Sequence, residues 1–117
     1  MPEPDELLWV DRSVENHSVV VRAGGELDML TAPRLSRQLD LAEAIVVPPA
    51  PVVLDLTGVT FMASAGLSVL VAHHRRCADL GSRLAIVANS RAVTRPVKLT
   101  GLDKYLAVAS DFVGGRA

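Results

Sequence analysis

The first stretches of the chain alternate between apolar and polar positions, and later stretches repeat at helical spacing. Leu8 and Val10 alternate with Trp9 and Asp11, which predicts a short first strand. Val14 to His17 reads as a turn, and the β-branched run Val19-Val20-Val21 predicts a second strand reaching about Leu27. The short connection implies an antiparallel hairpin, in which Gly24-Gly25 marks a bend or a close backbone approach. Thr31-Ala32-Pro33 is a helix start, with Thr31 as the expected cap and Pro33 in the first turn, where its missing N–H costs nothing. Leu35, Leu39 and Ala42 continue that helix, and Pro48-Pro49-Ala50-Pro51 ends it.

The next run, Val52 to Leu56, is apolar except for Asp55, the pattern of a central strand covered on both faces. A loop is expected after it. Leu67, Leu70, Val71, His74 and Ala78 then predict one face of a second helix, closed at Gly81. Leu84 to Ala88 predicts a strand, and Ser90 a cap for a third helix through Thr100, kinked or shortened at Pro96. Tyr105 to Ala109 gives a last, weaker strand. The expected fold class is α/β: a mixed sheet that opens with an antiparallel hairpin and continues as alternating strands and helices, with the helices packed on it. One domain over residues 7–112 is expected, with flexible termini at 1–6 and 113–117.

Composition narrows the function classes. In 117 residues, a chain able to bury roughly two-thirds of its unfolded surface, only four are aromatic, so Val, Leu and Ala must fill the core. Twelve basic and thirteen acidic residues leave a net charge of −1, which argues against a nucleic-acid partner. Cys77 is the only cysteine, so no internal disulfide can form, and it reads as a small core residue. The longest apolar stretch, Ile45 to Leu56, is broken by prolines and Asp55 and falls short of the ~20 residues a membrane span needs. A cytoplasmic location is expected, with no membrane association.

The chemistry concentrates where the central strand runs out into the second helix. Ser64 stands there among Ala63, Ala65 and Gly66, small residues that leave a hydroxyl within reach of a large partner. A helix start also favours negative charge, so a phosphorylated serine is tolerated by its own fold. Pattern alone favours an ordinary capping serine, since such caps are common. Asp55 is expected to accept amides from a Thr57 to Thr60 turn and so fix the loop. Phe61 is expected in the core and Met62 outside it. His73 and His74 are adjacent and point to different helix faces, so no metal or other cofactor is expected.

Two blocks carry a resemblance. Gly25-Glu26-Leu27-Asp28 followed by Thr31-Ala32-Pro33, and Leu54-Asp55-Leu56 through Phe61-Met62-Ala63-Ser64-Ala65-Gly66-Leu67, are similar to the STAS family, with a looser match at Leu99-Thr100-Gly101-Leu102. This is the domain of anti-sigma factor antagonists and of sulphate-transporter tails. The resemblance implies that the phosphoacceptor is Ser64, in a loop that departs from the family pattern at Ala63, where an aspartate usually stands. It also implies a partner, an anti-sigma factor that can be a serine kinase of histidine-kinase-like ATPase fold, and a free state that is a monomer. The implied contact set is Asp28, Met62, Ala63, Ser64, Ala65, Gly66, Leu67 and Ser68, with Asp55 and Thr57 supporting the loop. Asp28 reads equally as a turn residue bonding local amides.

Rival readings have less behind them. A phosphoacceptor role for Asp55 in a receiver domain needs an acidic pair after the first strand, where Asp11 is alone, and a lysine at a strand end, whereas Lys98 lies in a helical pattern. A hydrolase lacks its Gly-x-Ser-x-Gly turn, and no phosphate-binding glycine motif is present. A non-phosphorylated STAS subunit of a membrane lipid transporter is the alternative that Ala63 leaves open.

Overall fold

A computed structural model describes residues 7–111. The expectations for residues 1–6, 112 and 113–117 lie outside the described residues. Strand β1 (Leu8–Glu15) pairs antiparallel with β2 (Ser18–Leu27). The turn is two residues, Asn16 and His17, both at positive φ, as a hairpin turn matched to strand twist requires. β1 is therefore longer than the apolar pattern indicated, taking in Val14 and Glu15, while β2 ends at Leu27 as expected. Helix α1 (Ala32–Ile45) follows, then β3 (Val52–Met62), α2 (Ser64–Asp79), β4 (Leu84–Val87), α3 (Arg91–Leu99), a 3-10 turn (Leu102–Lys104) and β5 (Ala107–Ala109). The sheet order is β1-β2-β3-β4-β5, with every pair after the first parallel. This is the mixed α/β sheet that the sequence pattern predicts.

The main core lies between one sheet face and the helices. Val19, Val21, Val52, Leu54, Leu84 and Ile86 face Leu35, Leu39 and Ala42 of α1, Leu70 and Cys77 of α2, and Val93 and Val97 of α3. Strand alternation sends Val20, Val53, Ala85 and Val87 to the opposite face, where they form a second buried cluster. The central strand is thus apolar on both sides, as its unbroken run implied.

Four expectations change. Thr57 to Thr60 is not a turn: β3 continues to Met62, because the end of β2 supplies partners, Gly24 for Gly58, Glu26 for Phe61 and Leu27 for Met62. Register shifts on β2 go with the change, and Met62 is 8% exposed whereas Phe61 is 50% exposed, the reverse of the expected order. The buried face of α2 is Gly66, Leu70, His73 and Cys77, so the helix is rotated from the face first drawn through Val71, His74 and Ala78. Neither expected hydroxyl caps its helix. Thr31 donates to the Glu26 carbonyl (2.7 Å) and Ser90 to the Val59 carbonyl (3.1 Å). Pro96 lies inside α3, which is nine residues long.

Gly25 takes φ +100°, and a Cβ there would sit 2.1 Å from the Leu7 carbonyl oxygen; Gly101 takes φ +76° in open space. Gly25→Ala is therefore expected to cost roughly 3 kcal/mol in urea unfolding and Gly101→Ala about 1 kcal/mol. Equal losses at the two positions would contradict this account of the β2 bend.

Candidate functional site at the start of the second helix

The chain leaves β3 under tight control. The Ala63 amide donates to the Leu27 carbonyl at 2.8 Å, which adds one more bond beyond the last β2–β3 pair. Ala63 is the N-cap of α2 and makes no side-chain cap. Ser64 is the first helical residue, so its side chain is not spent on capping, and it is exposed. The amides of Ser64 and Ala65 have no intrahelical acceptor, as at any helix start, and the dipole of a 16-residue helix points its positive end there. Ser68 turns its hydroxyl back to the Ser64 carbonyl at 3.1 Å.

Gly66 is buried, and a Cβ on it would meet Met62 Cγ at 3.0 Å and Leu27 Cβ at 3.3 Å. Its smallness lets α2 sit down on the strand ends. Met62 and Gly66, both drawn into the expected contact set, thus face inward and support the surface from below. Ala63, Ala65 and Leu67 are half-buried, and Ser64 and Ser68 are exposed.

Asp28 follows Leu27 as Ser64 follows Ala63, each one residue past the Leu27–Ala63 bond. Its Oδ1 accepts the amides of Leu30 (2.9 Å) and Thr31 (3.1 Å), while its own amide donates to Thr31 Oγ1 (3.0 Å). The local-amide role is therefore formed. Asp55 accepts the Thr57 amide at 2.9 Å and lies 3.8 Å from Arg22 Nε, on the sheet face away from the helices. It shapes β3 before Gly58 and does not join Ser64 at the helix start.

Shallow apolar grooves border the helix start on both sides. One lies between Met29, Ala32, Pro33 and Ser36 of the first-helix side and Ala65, Ser68 and Val69 of α2. The other runs past Ser64, Leu67, Ser68 and Val71 to Thr100 and Leu102.

The sequence reading missed a polar cluster between α1 and α2. Glu43 and His73 are buried at 5% and 2% exposure. His73 Nδ1 donates to Glu43 Oε2 at 2.5 Å, and Ser36 Oγ bonds His73 Nε2 at 2.9 Å. Arg76 reaches Glu43 Oε1 at 3.2 Å and Asp40 Oδ1 at 3.3 Å. Donor atoms of Asp40, Glu43 and His73 lie within 4.8 Å of one another, but the Arg76 guanidinium already bridges the two carboxylates and both His73 nitrogens are bonded. The Ser36–His73–Glu43 order resembles a hydrolytic relay, yet Ser36 is inside α1, where neighbouring amides are committed to the helix and none is left to stabilise an oxyanion. The cluster reads as a staple between helices. Its signal in the sequence was the spacing: Glu43 lies four residues after Leu39, on the buried face of α1.

The whole chain can now be placed. It matches the STAS domain over residues 10–113. The chain belongs to the STAS domain family. It is 33% identical over 110 residues to the anti-sigma-F factor antagonist RsfB of Mycobacterium tuberculosis, covering 94% of this chain and 87% of that protein. Its fold superposes on the crystal structure of an anti-sigma factor antagonist from Mycobacterium paratuberculosis with a TM-score of 0.80 at 31% identity, covering 90% of this chain and 87% of the other. SpoIIAA in its unphosphorylated form shares the fold, with a TM-score of 0.72 at 19% identity and 88% and 90% coverage. No helix among the described residues of this STAS domain is long and apolar enough to cross a membrane.

Two outcomes follow from the polar cluster. Glu43→Ala strands His73 and Arg76 around a vacated carboxylate and is expected to cost about 3 kcal/mol in urea unfolding, whereas a loss under ~1 kcal/mol would show that the staple adds little. Burial first, and the Glu43 charge second, push the Cys77 thiol up to about 12. The folded state therefore favours the protonated thiol; the stability this contributes is present below pH ~9 and is lost as pH rises towards 12. Disulfide-exchange labelling at pH 8 is expected to be slow in the native protein and fast in urea. Rapid native labelling would contradict the burial.

Proposed function

We propose that this STAS domain is an anti-sigma factor antagonist that binds an anti-sigma factor when unmodified and is switched off by phosphorylation of Ser64. The observation that carries the reading is the exposed, non-capping Ser64 at the first position of α2, between two apolar grooves. The mycobacterial relatives named anti-sigma factor antagonists, similar over nearly the whole chain, support the same role. The unmodified helix start and its grooves dock on the anti-sigma factor and free the sigma factor for transcription.

The contact set in this reading is Asp28, Ala63, Ser64, Ala65, Leu67 and Ser68, held from below by Met62 and Gly66 and more remotely by Asp55 and Thr57. The partner also acts as the kinase, and the domain works in the cytoplasm as a monomer when free. No catalytic step belongs to the antagonist itself.

Phosphorylation adds about −1.5 to −2 charge at the centre of the contact. Its own fold tolerates that charge beside the free helix amides. A bound partner must desolvate it, at a cost of roughly 3 kcal/mol, or about a hundredfold in affinity. Pull-down of wild type, Ser64→Ala and Ser64→Asp from the native cytoplasm, with mass spectrometry of the bound protein and of Ser64, tests this. Wild type and Ser64→Ala are expected to retain an anti-sigma factor, and Ser64→Asp to lose it by about a hundredfold in a titration with the recovered partner. Equal binding of Ser64→Asp would falsify the switch.

A further inference from the structure

A third groove lies on the other side of the β3 terminus, and its chemistry differs from that of the two beside Ser64. Its walls are Phe61 and Met62 at the end of β3, and Arg91, Ala92, Arg95, Pro96 and Leu99 along α3. Phe61 is 50% exposed and Leu99 75% exposed, so two large apolar side chains face solvent at its rim. No acidic residue lines it.

The cations are placed against local preference. Arg91 is the first residue of α3, where the helix dipole disfavours positive charge. Arg91 and Arg95 are four residues apart, on one helix face, where like charges repel. Lys98 extends the same sign, and α3 carries no acidic residue at all. Among the described residues neither Arg91 nor Arg95 has an ion-pair partner. The buried side of the helix, Val93 and Val97, explains its packing on the sheet and leaves the arginines without a structural role.

We infer that this groove is a second docking surface for the anti-sigma factor, and that it takes an amphipathic segment in which an apolar side chain is flanked by carboxylates. The inference rests on the antagonist reading above and adds the partner's chemistry. The apolar side chain fits against Phe61, Pro96 and Leu99, and the carboxylates meet Arg91 and Arg95, whose planar forks suit bidentate pairing. Met62 links this groove to the Ser64 segment two residues later, so one partner can span both. An acidic segment also makes the switch more sensitive, because a phosphate on Ser64 then repels charge as well as obstructing contact.

The test is a titration with the anti-sigma factor recovered by its sensitivity to Ser64→Asp. Arg91→Glu/Arg95→Glu is expected to weaken binding by at least about tenfold at low salt, with the difference from wild type shrinking as salt rises. Replacing the partner's acidic residues at that contact by lysine is expected to restore the doubly reversed variant. Arg37→Glu, on the exposed side of α1, serves as a control for net charge and is expected to bind as wild type. Circular dichroism of both variants checks that the fold is kept.

Wild-type affinity in Arg91→Glu/Arg95→Glu, with Ser64→Asp still weakened, overturns this inference and leaves the antagonist reading standing. An equal loss in Arg37→Glu also overturns it. Binding to phosphatidylglycerol vesicles that depends on the two arginines, with partner affinity unchanged, overturns it in favour of a membrane surface. Full affinity in Ser64→Asp overturns the antagonist reading instead.

Discussion

The parallel pairing of β2 with β3 governs where everything else can go. It runs from Val19–Val52 to Leu27–Met62 and closes with the Ala63 amide on the Leu27 carbonyl. Because β3 is apolar on both faces in its first half, it cannot slip register without exposing one of two buried clusters. The strand therefore delivers Ser64 to one fixed point, past the C-terminal end of β3, where β2 also runs out into Asp28. A hydroxyl on a free loop would have to be ordered at each encounter, whereas this one is already in place.

Helix α2 is held along its whole length, by a different device at each level. At its start, Gly66 allows contact with Met62 and Leu27. In the middle, Leu70 enters the main core. Towards its end, His73 and Arg76 bind Glu43, and Arg76 also binds Asp40, across to α1. Burying a carboxylate and an imidazole is costly unless each is bonded, and here the His73 nitrogens and Glu43 Oε2 are bonded while Arg76 compensates the remaining charge. The polar cluster thus belongs to the framework that presents the helix start.

Much of this was legible in the chain. Val19 to Val21, Val52 to Leu56 and Leu84 to Ala88 announced buried strands because burial on both faces needs unbroken apolar runs. Leu35, Leu39 and Ala42 announced α1 by spacing. What stayed hidden depended on distant partners. Thr57 to Met62 looks like a loop until β2 is laid beside it, and Gly58 is acceptable in a strand because it opposes Gly24 under the Trp9 ring. The Phe61 and Met62 positions could not be assigned before the register shifts in β2 were known. Glu43 and His73 were missed because a charged side chain on an apolar face looks like a flaw in the pattern until its partner on another helix is in view.

The account holds that the Ser64 segment is a rigid platform whose modification alters docking and leaves the fold alone. Amide hydrogen exchange on the Ser64-phosphorylated and unmodified domain, in the absence of partner, tests that most directly. The account predicts unchanged protection at Ala63, along β3 and through α2 beyond its first turn. Loss of protection at Ala63 and across those elements would mean that the phosphate unfolds the platform, and the account would be wrong.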